Sequence, residues 1–574
     1  LDRLFAECNP GATVEIPTAI GFCMYIRRES LNAVGLFDEA RFGKGYGEEN
    51  DFCMRTLKAG WCHLHALDTF VWHKGSVSFG ASQNERVKES GRIINELHPD
   101  YEQRVHRFIQ ADPARAARAR VDVERLRRST LPRVLLISHQ RGGGVEHHCR
   151  QLAEVMAGHV EYLMLQPSPG GLTELSWFSS GEALALTYRL PEQQPALVEM
   201  LEALGIGRVH YHHLLGHPDA IRELANHLDV PYDVTLHDFW TICPQITLTQ
   251  ADGHYCGEKG LDQCRDCLKQ QPAPDHADIT TWRARHERWL TGASRCLAPS
   301  RDTASRIQRY FPGLEIEVAP HPELLESAPD VSMRPPAADE PLRVAVLGAL
   351  SREKGADILE AMAAHVERNG LPIRLRLFGY TYRHLKRSEV LEVTGAYQAS
   401  QLPSLLASWN PHVAWFPAQW PETWSYTLGT CLDAGLPIVA SNLGALTERL
   451  QGRPFSRVMA HDSCIDAWAQ ALLSLREAPE SKASPAAERP APFYPDGYLA
   501  GLGNAPPTTT TPLPETWTQH LGTTLPPPLQ ARARRHLITA LYTARQSRWL
   551  RPIARRIPTS VQRRVKSLLL SESS

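Results

Sequence analysis

Three clusters of residue types in this chain can do chemistry. The stretch GYGEENDFCMR, residues 45–55, places Glu48, Glu49 and Asp51 on a glycine-hinged turn ahead of an amphipathic segment. Like charges packed together raise a carboxyl's pKa and make it a better proton acceptor. The same acids also suit an ordinary helix N-terminus, where the macrodipole favours them. A second cluster, Cys243, Cys256, Cys264 and Cys267, ends in a C-x-x-C pair. Four thiolates can close a tetrahedral structural zinc site; the spacing is not that of a standard finger, and buried free thiols or a redox pair fit the same residues. The third is HYHHLLGH, with His210, His212, His213 and His217, which reads as strand-end packing in preference to a metal site.

These side chains need elements to hold them. At Arg133 the pattern turns abruptly to RVLLISHQRGGGVEHHCRQLAEVM: a buried strand, a glycine turn and an amphipathic helix, the opening unit of a doubly wound sheet. Gly143 and Gly144 in that turn let backbone N–H groups approach an anionic or hydroxyl-rich ligand, and the helix N-terminus adds partial positive charge. Further strands are expected at GRVHYHH, YDVTLHD and RCLAPS, and a second series opens at PLRVAVLGALSREKGADILEAMAAH and runs through IRLRLFGY, PHVAWFPA and LPIVASN. The expected fold class is α/β, with two Rossmann-like domains at residues 133–325 and 341–475.

Around this pair lie less regular regions. Residues 1–98 mix short apolar runs with glycine turns, and the Ala/Arg-rich residues 99–132 read as an exposed helical linker. Residues 476–530 are Pro-rich and aperiodic, a loose linker in which no packed core is expected. The last segment, 531–574, has eleven Lys and Arg between Arg532 and Lys566 and no acid among them. As a basic helix with Trp549, Leu550, Ile553 and Ile557 it suits either an anionic membrane surface or packing on its own protein.

Bulk properties exclude some classes. The 574 residues are 43% hydrophobic, with 62 Lys+Arg against 63 Asp+Glu, so overall charge points to no nucleic-acid partner. No apolar run reaches the roughly 18 residues of a membrane span. The twelve cysteines are scattered except for the 243–267 group, and most read as reduced thiols of a cytoplasmic protein, not a disulfide framework. Because residue 1 is Leu, the natural polypeptide is expected to begin upstream.

Two resemblances sharpen these readings. IGFCMYIRRESLNAVGLFDEARFGKGYGEENDFCMRTLKAGW followed by VWHKGSVSFG resembles the second half of the family 2 glycosyltransferases, which have the GT-A fold. By that resemblance Glu49 is the base that deprotonates the acceptor hydroxyl, with Glu48 and Asp51 on the acceptor side. It also makes His73 a ligand of the divalent ion, Mg2+ or Mn2+, that holds the donor diphosphate. The family's nucleotide-binding strands and Asp-x-Asp motif do not precede residue 45, so this region reads as a C-terminal remnant, inactive alone.

Residues 133 to about 475 resemble the family 4 glycosyltransferases, of GT-B fold, through HQRGGGVEHHCRQLA, LAPSRDTASRI, LGALSREKGADIL and PETWSYTLGTCLDAGLPIVASNLGALTERL. The resemblance implies a nucleotide-sugar donor, a glycan or lipid-linked acceptor, retention of anomeric configuration and no required cofactor. It assigns Lys354, with Arg352, to the departing diphosphate, Glu422 to the donor sugar, and His237 and Asp238 to the reacting centre. Two positions depart from the pattern: Thr430 stands where the second glutamate of a paired motif contacts the ribose, and Ala349 where relatives carry an arginine. The expected whole is a bifunctional glycosyltransferase of cell-surface polysaccharide or lipopolysaccharide synthesis. It is placed in the cytoplasm or peripherally at the inner face of the plasma membrane. A degenerate, non-catalytic glycan-binding module is the alternative.

Overall fold

The computed structural model describes residues 1–43, 46–73, 83–179, 184–324, 335–476, 492–502 and 511–522. The basic tail, 531–574, lies outside the described residues. Two sheets organise the chain from residue 133 on. The first contains β3 (Arg133–Ile137), β4 (Glu161–Ser168), β5 (Leu172–Trp177), β6 (Ala185–Arg189), β7 (Arg208–Tyr211), β8 (Tyr232–Thr235), β9 (Arg295–Ala298) and β10 (Glu317–Val318); a small antiparallel pair, β1 (Thr13–Glu15) and β2 (Leu64–Ala66), precedes it. Its order is β10-β9-β8-β7-β3-β4-β5-β6, parallel as far as β4 and antiparallel through β5 and β6. All five residues of β3 are buried, as expected for a central parallel strand covered on both faces.

The second sheet holds β11 (Leu342–Leu350), β12 (Ile373–Thr381), β13 (Leu391–Val393), β14 (Val413–Phe416), β15 (Ile438–Ser441) and β16 (Ser456–Met459). All its pairs are parallel, in the order β13-β12-β11-β14-β15-β16. Counted from its own first strand this is the 3-2-1-4-5-6 order of the Rossmann fold. In such sheets ligands bind at the carboxyl ends of the strands, where the winding reverses. The reversals fall between β3 and β7 in one sheet and between β11 and β14 in the other.

Two sequence expectations are corrected here. The helix Arg115–Arg128 is not an exposed linker: Ala117, Ala119, Val121, Val123 and Leu126 are all buried. One side meets the first region, where Asn9 Nδ2 donates to the Ala117 carbonyl at 3.2 Å, and Ala119, Val123 and Leu126 join the core beneath the first sheet. Buried Arg133 closes its last turn, donating to the carbonyls of Leu126, Arg127 and Ser129 at 2.9, 2.9 and 2.6 Å, the helix end where a cation is favoured.

The second correction concerns the Pro-rich region, parts of which do pack. Phe493, Tyr494 and Tyr498 are buried among Val134, Leu136, Cys149, Tyr162 and Leu297, and complete one face of the first sheet, while Trp517 joins the core on the other. Tyr498 hydroxyl lies 2.9 Å from His210 Nδ1. The carbonyls of Gly497, Tyr498 and Gly501 accept from Arg295 and Arg208, whose guanidinium groups flank the fully buried Asp233 at 2.7 and 2.6 Å. Aromatic residues among prolines supply apolar area that composition alone hides. Tyr498→Ala should therefore lower unfolding free energy by about 3–5 kcal/mol, as for other large core truncations, in urea denaturation of the full chain; a loss below about 1 kcal/mol would mean the segment does not dock.

Candidate functional site

Lys354 and Glu422 leave the second sheet at its reversal, from the turns after β11 and β14. Lys354 Nζ lies 3.3 Å from Glu422 Oε1, which also accepts from Trp420 Nε1 at 3.2 Å. Two glycines set this geometry. Gly355 has φ +92, and a Cβ there would meet the Pro417 carbonyl oxygen at 2.3 Å, so the Lys354 turn rests directly on the end of β14. At Gly444, φ +64, a Cβ would meet the Glu422 oxygen at 2.2 Å, and Ala445 N–H donates to that same oxygen at 2.7 Å. The carboxylate is buried and the ammonium partly exposed.

The facing edge is lined by imidazoles. His139 follows β3, His212 and His213 follow β7, and His237 and Asp238 follow β8. The glycine turn behaves as expected: Gly143, φ +80, precedes the helix Gly144–Val155, which delivers His148 to the same place. His212 Nδ1 and His237 Nε2 are 2.9 Å apart, and potential ligand atoms of His148, His212 and His237 all lie within 4.8 Å of one another. Burial holds all three, with His210 and His321, well below the usual histidine pKa; it brings His139 and His217 down to about 4. Burial pushes the Asp238 carboxyl up, but His213, 3.2 Å away, and the Trp240 N–H more than offset that and leave it below the ordinary range.

Thr423 Oγ1, one residue beyond Glu422, donates to the His237 carbonyl at 2.6 Å and ties the two edges together. The Glu448 carboxylate likewise accepts from the N–H groups of Arg301 and Asp302, at the start of the helix Arg301–Gln308. Among the described residues, several buried polar atoms where the sheets meet have no hydrogen-bond partner: both ring nitrogens of His148, His212 Nε2, His321 Nδ1, Trp424 Nε1 and the Tyr426 hydroxyl. Unpaired buried donors and acceptors are costly, which makes the meeting of the two sheets the candidate site for a polar ligand.

Other expected site residues fare differently. The hydroxyl of buried Thr430 is spent on the Tyr426 carbonyl of its own helix, at 3.5 Å. Arg352 pairs with Asp357 and donates to the Ala251 carbonyl, both at 3.2 Å. Asp51 is not on an acceptor-facing surface: it is buried between Arg55, at 2.7 Å, and His98, at 2.8 Å, and locks its helix to its neighbour. Glu49, in the first turn of the helix Glu48–Lys58, is raised above the usual carboxyl range by burial, with the Glu48 charge adding. His73 is exposed and stacks on Phe22 at 4.5 Å; it belongs to no set of three potential metal ligands among the described residues. Of HYHHLLGH, His210 bonds to Tyr498 and Thr235, and His217 to the Ser138 carbonyl, as packing residues do, whereas His212 joins the cleft. Sequence reasoning missed His148 and His321. The first lay inside a quoted motif, but only folding turns it inward.

Residues 142–322 match the model of Glycosyltransferase Family 4. No curated protein matches the chain. Among solved structures it is similar to sucrose-phosphate synthase from Thermosynechococcus elongatus, at 16% identity over 71% of this chain and 100% of that one, with a TM-score of 0.41. Anabaena HepE in complex with UDP and glucose gives 12% identity over 72% and 100%, TM-score 0.41. The pneumococcal O-GlcNAc transferase GtfA gives 10% identity over 65% and 94%, also with 0.41.

The buried imidazoles make stability depend on pH. Unfolded histidines take up protons near pH 6.5, while folded His139 and His217 do so only near pH 4. Between these values the unfolded state binds more protons, so stability is complete above about 6.5 and falls as pH falls toward 4. Urea midpoints at pH 7.5, 6 and 5 should decline steadily; a flat profile would show that these rings are charged or solvated in the folded protein.

Proposed function

We propose that residues 133–475 form a nucleotide-sugar-dependent glycosyltransferase of GT-B type, with the donor held between the two sheet reversals. With residues 142–322 matching Glycosyltransferase Family 4, the chain is a transferase. The observation that carries the donor-site reading is Lys354 beside Glu422 at the β11/β14 reversal, tied through Thr423 to His237 on the opposite edge. The Lys354 ammonium neutralises the charge that grows on the nucleoside diphosphate as the anomeric C–O bond breaks. Glu422 accepts from donor-sugar hydroxyls. The neutral imidazoles and the N–H groups at the Gly143/Gly144 turn supply uncharged partners for hydroxyl-rich groups. Glu422 is paired with Lys354 and Asp238 with His213, so neither is assigned as the base; as the family 4 resemblance implies, the acceptor proton passes to the leaving phosphate oxygen on the same face, which retains configuration.

The finer reading extends to the acceptor and the cell. We take the acceptor as a glycan or lipid-linked glycan of the cell surface, with transfer at the cytoplasmic side, where the basic tail provides a peripheral contact. Among the described residues no helix is long and apolar enough to cross a membrane. The first region we take as a family 2 remnant that is inactive alone, in which Glu49, with its raised pKa, has the place of the base and His73 that of the ligand for Mg2+ or Mn2+. A non-catalytic glycan-binding module is favoured by one observation: Thr430 places no carboxylate where a ribose contact is expected, and its hydroxyl is already bonded.

A panel of UDP-, GDP- and dTDP-sugars tested on the full chain by saturation-transfer NMR should show one bound donor. Lys354→Ala should weaken that binding by about tenfold or more, equivalent to about 1.4 kcal/mol, and Glu422→Gln should abolish transfer without unfolding the protein. No binding across the panel by folded protein would favour the non-catalytic module.

A further inference from the structure

Between β8 and β9 the chain leaves the first sheet in a long excursion, which the transferase reading does not use beyond Asp238. Cys243 sits in its first turn, Cys256 follows a hairpin closed by the Thr249/Tyr255 bridge, and Cys264 and Cys267 lie on the helix Leu261–Gln270. Spaced three apart, this last pair shares one face of the helix. All four line a single cavity of about 30 Å3, together with Arg283 and Tyr310. A water takes about 10–15 Å3 by this measure, so the cavity has room for one small ion and little else. None of the four is in a disulfide.

The surroundings are arranged to serve sulfur as an acceptor. The Glu258 N–H, from two residues beyond the cysteine, points at Cys256 Sγ at 3.4 Å. Arg283 Nη2 lies 3.5 Å from Cys264 Sγ. A backbone N–H aimed at one sulfur and a guanidinium beside another stabilise negative charge on thiolates, the role outer partners play around a metal. Four cysteines, a cavity of ionic size and N–H donors directed at the sulfurs are the donor set of a tetrahedral S4 site.

We propose that Cys243, Cys256, Cys264 and Cys267 bind one structural Zn2+ ion, which staples the 243–267 excursion against the cleft. His148, His212 and His237 are the one set among the described residues with three ligand atoms already within 4.8 Å, so the sulfurs draw in toward their cavity when the ion enters. The staple reaches the donor side. Beyond Cys243 the hairpin brings Gly253 under Arg352, where a Cβ would meet Arg352 Cδ at 2.1 Å, and Ala251 accepts from Arg352 Nη1. Beyond Cys256, Glu258 accepts from the Tyr310 hydroxyl at 3.0 Å and pairs with Arg306 and Arg309. Tyr255 and both arginines line a groove of about 620 Å3, shared with Asn442, Leu443 and His461 of the second domain. Holding the four sulfurs together therefore fixes the wall on which Arg352 lies.

Metal analysis of the untagged full chain, grown with zinc, should give one zinc per chain, falling to near none in the Cys264→Ser/Cys267→Ser variant and staying unchanged in His148→Gln. Cobalt substitution of the wild type should produce an intense thiolate-to-cobalt charge-transfer band, which decides the matter if the double variant fails to fold. Folded wild type that takes up no metal, cobalt bound without that band, zinc that follows His148 instead of the cysteines, or iron with acid-labile sulfide would each overturn the proposal.

Discussion

A parallel sheet delivers all of its strand-to-helix turns to one edge, and the winding reversal opens a crevice there. The chain from residue 133 on is shaped by having two such edges face each other. At the first, β3, β7 and β8 end in His139, His212, His213, His237 and Asp238; at the second, β11 and β14 lead to Lys354 and Glu422. None of these residues is near its partners in sequence. Thr423 on the His237 carbonyl and Glu448 on the start of the helix Arg301–Gln308 use main-chain groups for the closure, so the closure itself takes up no side chain of Lys354, Glu422 or the clustered histidines.

The two edges manage charge differently. On the first, burial keeps the clustered rings neutral, so they pack tilted or edge-on with centroids 4.0 to 5.3 Å apart without repulsion. On the second, one partly exposed ammonium meets one buried carboxylate. A pair with one solvated partner adds little to stability, typically 0–1 kcal/mol by general experience, so its placement at the reversal is better explained by function than by folding. The contrast with Asp233 is instructive. That carboxylate is fully buried, flanked by two arginines at the opposite ends of the strands, and its arginines continue to the carbonyls around Tyr498. The network is structural: removing any one member would strand a buried charge.

Much of this was legible in the sequence because it is local. Buried parallel strands read as continuous apolar runs, and RVLLI and VAWF were recognisable on that ground. The turn at Gly143 was recognisable from the glycine run between strand and helix, where the backbone takes a positive φ. What escaped depended on distant partners. Asp51 looked like one more acid at a helix start until His98, 47 residues on, proved to be its partner. Tyr498 looked like linker, yet its hydroxyl meets His210, 288 residues away. The Ala/Arg-rich helix Arg115–Arg128 looked exposed because small alanines carry little hydrophobic signal, although they permit close approach on both sides.

That helix bears on how the first region relates to the rest. With Ala117 bonded to Asn9 on one side and Ala119, Val123 and Leu126 in the core under β3 on the other, it is a wall common to both. A flexible tether would leave the first region free to turn; a shared buried helix fixes its orientation to the first sheet. The helix carrying Glu49 and the first sheet are thus parts of one packed body, joined through a buried helix and not through a flexible linker.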